Sequence, residues 1–311
     1  MLSQVPLEPL WAAIQRPPAW VWLATLIGLL LSYALRAARL QVVLGLESRP
    51  GAPASTRVLG LRLDALRVIL QHNAAVNLLP MRAGELSFPW LASRELGLPL
   101  PRAVVCLMWM RLQDLAVLLA LGLILWPGLP PLWRGLGLLA LFAGWHGGWR
   151  LLRAILESRV GAGQTPSLTS PSPASPAAWR RILFKLEEAL REPAHHRPAA
   201  WGLTFANWAL KLAAGATLLA AISAMPWAHA WSAALGGELA AIFPLQGPAG
   251  FGTYEAGVWA GAASVLPRSA PALNDVIGAA LALHVCFLTC AVLAAAMAIL
   301  LRPPRSAGHP G

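Results

Sequence analysis

Charged residues are scarce in this sequence. They make up only 12% of the chain, about half of the roughly 25% that is usual in soluble globular domains. Hydrophobic residues make up 57%, so a soluble fold would lack the polar side chains needed to cover its surface. The scarcity of charge therefore excludes an ordinary soluble domain and indicates an integral membrane protein.

Cysteine is also rare, and nothing marks a metal or nucleotide site. The three cysteines lie in apolar runs, and neither they nor the seven histidines have the spacing of a metal site. The glycines of "GPAGFG" are not followed by the Lys-Ser/Thr of a phosphate-binding loop. No segment marks a catalytic nucleophile. We therefore predict no catalytic residue, no metal and no cofactor.

The positive charge is concentrated between the apolar runs. The net charge is +11, and arginines cluster in 36–67 and again in 150–198. This distribution is typical of cytoplasmic loops that face anionic lipid headgroups. It indicates anionic lipids as partners and argues against nucleic acid.

Five apolar runs are predicted to span the membrane, because they reach or approach the roughly 20 residues that a spanning helix needs. A secretory signal is the alternative for the first run, but it ends in arginines and lacks a small-x-small exit. An odd number of spans places the segment 1–18 outside and the C-terminus in the cytoplasm. The protein is then a multi-pass protein of the inner (plasma) membrane. The predicted spans are 19–35, 103–126, 132–150, 199–225 and 276–301.

A cytoplasmic region, 157–198, is predicted between the third and fourth spans. It begins with the Ser/Pro tract "GAGQTPSLTSPSPASP", which cannot bury enough apolar surface to fold. The following "WRRILFKLEEALRE" has apolar residues at three- and four-residue spacing. We interpret it as an amphipathic helix on the inner leaflet, with a packed surface helix as an equal alternative.

Two interrupted apolar segments, 63–101 and 231–266, are too broken to be ordinary spans. Each has an apolar helix, a Pro/Gly-rich break with a carboxylate, and a second apolar stretch. We predict two re-entrant hairpins that enter from opposite faces and meet near the middle, as in inverted-repeat transporters. Two ordinary kinked helices are the alternative. The predicted break residues are Pro80, Gly84, Pro244, Pro248, Gly250 and Gly252.

Ionisable residues inside the apolar stretches are the candidate site. Each costs at least ~2.5 kcal/mol at mid-membrane, so it usually pairs, lines a cavity or has a function. Arg111 and Asp114 are three apart on one helix face and can form a purely structural pair. Lys211 either joins them or extends toward an interface. The breaks contribute Arg82, Glu85 and Glu255.

Several motifs resemble the membrane domain of the lysylphosphatidylglycerol synthase family. They are "NLLPMRAGE", "SRELGLP", "RLQD", "FPLQGPAGFGTYE" and "LLSYALRAARL", and the resemblance extends over most of the chain from about residue 20 to 300. The resemblance implies a stand-alone lipid flippase module, and it adds Asn77 to the candidate residues. Members of that family often begin with one membrane segment more than is predicted for this sequence. No aminoacyltransferase domain follows residue 301, so the synthase activity is not transferred.

We therefore predict an all-α, polytopic membrane protein, with residues 1–311 forming one membrane domain that moves a charged or headgroup-modified lipid through a central polar cavity. Arg82 and Arg111 would contact a phosphate, while Glu85, Asp114 and Glu255 would contact a cationic group or carry protons. A non-transporting scaffold for a lipid or envelope-biosynthesis enzyme is the first alternative. An intramembrane enzyme is the second. A homo-oligomer or an envelope-biosynthesis enzyme remains open as a protein partner.

Overall fold

The computed structural model describes residues 7–46, 57–58, 60–161, 197–242 and 246–302, without the side chains of 7–10, 80–82 and part of 152–161. These residues are mostly helical. The α-helices are α1 (Leu7–Gln15), α2 (Ala19–Leu44), α3 (Leu63–Leu78), α4 (Ser87–Leu96), α5 (Leu100–Leu125), α6 (Pro131–Gly161), α7 (Pro198–Ser223), α8 (Trp227–Ala240), α9 (Thr253–Ala263) and α10 (Ala272–Leu300).

Two short 3-10 helices and two short strands complete the description. Short 3-10 helices cover Pro80–Leu86 and Pro248–Gly250. Strands β1 (Arg57–Val58) and β2 (Leu61–Arg62) pair antiparallel. The all-helical prediction is confirmed in its coarse form, and this small strand pair was not anticipated because two-residue strands leave no periodic pattern.

Four of the described helices are long and apolar enough to cross a membrane: α2, α5, α7 and α10. The architecture is that of an all-α membrane protein. The predicted fifth span, 132–150, lies within α6, which is not one of the four. Arg134 and His146, together with several glycines and tryptophans, lower its mean hydropathy, so a topology with five full spans stays a prediction.

The first span is longer than predicted. Helix α2 continues to Leu44 and ends at Gly45, whose φ of 59° closes the last turn in the left-handed conformation. The sequence prediction ended this span at residue 35, before its arginines. Arg36 and Arg39 therefore lie inside the helix, and Arg39 is buried.

The long helices enclose a buried core and present apolar faces outward. Helix α2 packs against α7, and α10 packs against α3, α7 and α9. Leu40, Leu219 and Leu283 are fully buried between them. Large side chains such as Leu31 and Val292 are exposed on the outer faces, as expected for surfaces that contact lipid.

Two helical hairpins lie among these long helices. The first hairpin is α3 and α4 joined by the 3-10 helix Pro80–Leu86; the second is α8 and α9 with the 3-10 helix Pro248–Gly250 between them. Helix α3, the longest arm, has 16 residues and is about 24 Å long, less than the roughly 30 Å of hydrocarbon in a bilayer. The observed hairpins cover 63–96 and 227–263, against predicted bounds of 63–101 and 231–266.

The arms of the second hairpin pack backbone against backbone. A Cβ added to Gly236 would lie 2.3 Å from Gly257 O, and one added to Gly261 would lie 2.3 Å from Ser232 O. Such small-residue contacts let membrane helices approach closely. Glycine at these positions therefore holds α8 and α9 together as one compact unit.

The terminal and loop predictions have different outcomes. The segment predicted as 1–18 contains α1, which packs against α10. Most of the predicted cytoplasmic region 157–198 lies outside the described residues, because 162–196 are not described. Its amphipathic helix stays a prediction.

Candidate functional site

The tips of the two hairpins are in contact. The 3-10 helix Pro80–Leu86 contacts the 3-10 helix Pro248–Gly250, which also contacts α3. Gly84 lets the first tip fold onto its own arm, since a Cβ there would lie 2.3 Å from the Ala75 backbone. Gly252, with φ 84°, starts α9 in a conformation that glycine adopts without strain.

The predicted break residues lie at these two tips, as far as the structure describes them. Pro80 begins the first 3-10 helix and Gly84 lies within it. Pro248 and Gly250 begin and end the second, and Gly252 caps α9. Pro244 lies outside the described residues.

A cavity of about 530 Å³ lies beside the tips. Its volume falls within the roughly 300–1,000 Å³ of typical small-molecule sites. Ionisable side chains from six helices and one hairpin tip form its polar wall: Arg36, Glu85, Arg111, Asp114, Lys211, Glu238, Tyr254 and His284.

Asp114 is the centre of the first charged cluster. Its carboxylate accepts hydrogen bonds from Arg39 Nη1 at 2.5 Å, from Trp208 Nε1 at 2.9 Å and from Arg111 Nη1 at 3.3 Å. Asp114 is buried, and three donors on α2, α5 and α7 compensate the loss of water. The cluster ties these three helices together.

Arg111 extends the same cluster to the first hairpin tip. Its Nη2 lies 2.6 Å from Glu85 Oε1, and the same nitrogen lies 3.5 Å from His72 Nε2. Ser87 Oγ donates to Gly84 O and lies 3.1 Å from His72 Nδ1. Because the hydroxyl proton is engaged, His72 Nδ1–H donates to Ser87 and its Nε2 is left to accept from Arg111. Buried His72 thus orients the cation that holds the tip.

Lys211 and Glu238 form the second charged pair. Lys211 Nζ lies 2.7 Å from Glu238 Oε2, which connects α7 to the first arm of the second hairpin. The ammonium also lies 5.2 Å from the ring centroid of Trp208 and 4.8 Å from that of Phe287, within the range of cation–π attraction.

Glu255 pairs with a histidine rather than with an arginine or lysine. Glu255 Oε1 lies 2.6 Å from His284 Nδ1, and its Oε2 accepts from Gly252 N–H at 2.7 Å. The other ring nitrogen, His284 Nε2, lies 2.9 Å from Ala249 O. This pair therefore joins α10 to both the tip and the second arm of the second hairpin.

Arg36 differs from the other cations in the wall. It donates to Asn73 Oδ1 at 2.7 Å and to Asn207 Oδ1 at 3.3 Å, and it lies 5.5 Å from the Trp208 ring centroid. Within the part of the chain that the structure describes, Arg36 has no carboxylate partner. The guanidinium of Arg36 is therefore held in place by uncharged side chains.

The structure places most predicted site residues in the cavity wall. Asn77, Glu85, Arg111, Asp114 and Lys211 all line it. Glu255 lies behind the wall and reaches it through His284. The Arg82 side chain lies outside the described part of the structure.

Four ionisable residues of the observed clusters were missing from the predicted site: Arg36, Arg39, Glu238 and His284. The arginines were assigned to the end of the first span rather than to its interior. The i,i+3 spacing of Arg36 and Arg39 in an apolar helix was the available signal. His284 was overlooked as a single polar residue in a long apolar run. At mid-membrane such a residue is a functional candidate by default.

Comparison with models of protein families finds no match for this chain, and comparison with curated proteins finds none.

Proposed function

We propose that the protein translocates a charged or headgroup-modified lipid across the membrane through the cavity between the hairpin tips. One observation supports the proposal: a polar cavity beside the tips of the two hairpins contains a cation, Arg36, that forms no ion pair with a carboxylate of the described chain. An anionic headgroup supplies the missing charge. Burying a phosphate beside an already positioned guanidinium forms a charge-assisted hydrogen bond without reorganisation.

The cavity has an apolar edge that suits a lipid better than a soluble solute. Met108, Leu112 and Leu115 on α5 line the cavity, and they are 52%, 51% and 37% exposed. Their spacing of four and three residues makes one continuous stripe on the helix. A headgroup in the polar interior would leave its acyl chains against this stripe and in contact with surrounding lipid.

The proposed mechanism is alternating exposure of the cavity. The tips of the two hairpins lie beside the cavity. Each hairpin is tied to a long helix by an ion pair: Glu85 to Arg111 in the first, and Glu238 to Lys211 in the second. Movement of one tip at a time would open the cavity to one side of the membrane. The headgroup phosphate would contact Arg36, and a cationic headgroup substituent would be accepted by Glu85 or Asp114.

A flipping assay in proteoliposomes tests this function. Fluorescently labelled phosphatidylglycerol and phosphatidylcholine in separate vesicles are compared, with loss of outer-leaflet fluorescence on dithionite addition as the readout. We expect the protein to accelerate flipping of the anionic lipid. R36Q should lower the rate at least about tenfold, as expected for the loss of one charged hydrogen bond of about 1.5–3 kcal/mol.

The matched control is R268Q, which removes an exposed arginine in the loop before α10 and should leave the rate unchanged. R36K retains the charge and should retain much of the rate. Thermal unfolding of each variant shows whether R36Q is folded. A wild-type protein that flips neither lipid, or a folded R36Q at the wild-type rate, would overturn the proposal. In the first case, a scaffold function would be favoured.

A further inference from the structure

We propose that Glu255 and His284 together bind one exchangeable proton that latches the tip of the second hairpin to α10, so that loss of this proton releases the tip. The latch is a property of the folded protein and needs no transport. Its role as the step that couples protons to lipid movement rests on the proposed function.

The geometry around His284 requires this proton. Ala249 O is a carbonyl oxygen and can only accept, so the 2.9 Å contact needs a hydrogen on His284 Nε2. On the other side, Nδ1 lies 2.6 Å from a carboxylate oxygen of Glu255. A hydrogen must lie in that contact too, on either the nitrogen or the oxygen. The pair therefore holds one proton more than a neutral imidazole beside an ionised carboxylate.

Removal of that proton breaks one of the two contacts. If the remaining ring hydrogen stays on Nε2, the Nδ1 lone pair faces the ionised Glu255. If it moves to Nδ1, the Nε2 lone pair faces Ala249 O. Either arrangement places two acceptors in contact inside a buried site, which costs the full desolvation penalty of an unpaired group. The proton itself passes to water in the cavity, which His284 lines.

The tip that this proton holds is conformationally strained. Ala249 has φ 52° and ψ 18°, the left-handed conformation that is unfavourable for alanine. Phe251, two residues later, stacks on the His284 ring with a centroid distance of 4.2 Å. Because the same imidazole supplies both contacts, His284 restrains this part of the tip at two points.

Titratable and charged groups also surround the pair on the neighbouring helices. Tyr254 lies on the same turn as Glu255, with its ring centroid 5.5 Å from that of His284. On α7 and α8, Lys211 and Glu238 neutralise each other, and α3 contributes the non-titrating Asn73 and Asn77 to the cavity wall. The remaining ionisable groups of the wall are Arg36, Glu85, Arg111 and Asp114.

Two variants distinguish the effect of the proton from the effect of the shape of the site. In E255Q, the amide oxygen can still accept from Gly252 N–H while the amide nitrogen donates to His284 Nδ1. The histidine then keeps Nε2–H for Ala249 O, so the latch is closed without any exchangeable proton. In H284F, the stacking surface remains, but both hydrogen bonds are lost, so the latch is open at every pH.

Hydrogen–deuterium exchange of residues 246–252 in lipid nanodiscs tests the latch. Wild type and variants are compared at the same pH, because the ratio of their rates cancels the chemical pH dependence of exchange. Between about pH 5 and about pH 9, the ratio of the wild-type exchange rate to the E255Q exchange rate should rise from about one to about tenfold. The ratio of the H284F exchange rate to the E255Q exchange rate should be high at every pH.

A wild-type to E255Q ratio that stays near one at every pH would overturn the latch, and so would an H284F ratio near one. This readout is independent of flipping. A pH-dependent tip in a protein that moves no lipid would support the latch and remove the proposed function. Lipid flipping by a protein whose exchange rate at the tip does not change with pH would support the proposed function and overturn the latch.

Discussion

The guanidinium of Arg39 and the carboxylate of Asp114 lie 2.5 Å apart, although 75 residues separate them in the chain. Both side chains are buried. D114N should therefore lower the free energy of unfolding by about 3–5 kcal/mol, because it leaves a buried guanidinium without its anion. Unfolding by sodium dodecyl sulfate in mixed micelles measures the change.

A second aspartate provides the control for this substitution. Asp275 pairs with Arg16 at the same distance of 2.5 Å, but their side chains are 23% and 47% exposed. Exposed pairs contribute about 0–1 kcal/mol, so D275N should have little effect. Equal losses for D114N and D275N would contradict the importance of burial at Asp114.

The Lys211–Glu238 pair predicts a charge-reversal result. K211E and E238K each place like charges in contact and should destabilise the protein. The double variant K211E/E238K should recover part of the loss, with a coupling of about 0.5–3 kcal/mol. Recovery should be incomplete because a glutamate at 211 loses the attraction of the Trp208 and Phe287 rings, each pair typically contributing about 0.5–2 kcal/mol. Strictly additive single effects would show that the pair does not form.

The glycine contact inside the second hairpin predicts a strong steric effect. G261L should cost about 3 kcal/mol or more, because the added side chain meets the Ser232 backbone, which cannot move aside like a flexible side chain. G202A is the matched control: nothing lies within 4 Å of a Cβ added at Gly202 in α7. It should be neutral or stabilising by about 0.5–1 kcal/mol. Thermal unfolding of both variants provides the comparison, and a G261L protein as stable as wild type would rule out the close packing.

The sides of the membrane on which the two ends of the described chain lie show whether α6 spans it. With five full spans, residues 18 and 302 lie on opposite sides; with four, they lie on the same side. Both positions are exposed, and the three native cysteines are buried. We expect a membrane-impermeant maleimide to label P18C on intact cells and R302C only after permeabilisation. Labelling of both without permeabilisation would favour four spans and reverse the predicted orientation of the C-terminus.

Hydropathy alone predicts the long helices but not where they end in relation to charge. The runs in α5, α7 and α10 are continuous, so their predicted bounds differ from the observed helices by only a few residues. Helix α2 extends nine residues beyond its predicted end. Its arginines are tolerated inside the helix because Asp114, Asn73 and Asn207 accept hydrogen bonds from them. No local pattern around residue 36 reveals those partners.

The candidate site was predictable where its members are close in sequence. Arg111 and Asp114 are one turn apart, and Glu85 lies in the conspicuous "PMRAGE" break. The pairs of Lys211 with Glu238 and of Glu255 with His284 join residues 27 and 29 apart on different helices. Their recognition depends on how the hairpins pack, which periodicity does not encode.

The long separation of Arg39 from Asp114 has a consequence for biogenesis. During synthesis, α2 is complete while α5 has yet to be made, so Arg39 emerges before the carboxylate that neutralises it. An unpaired arginine at mid-membrane is costly. The early helix would therefore remain near a polar environment, such as the interior of the insertion machinery, until α5 arrives. The cavity wall itself is completed only when α10 delivers His284, after all the other helices that line the cavity have been made.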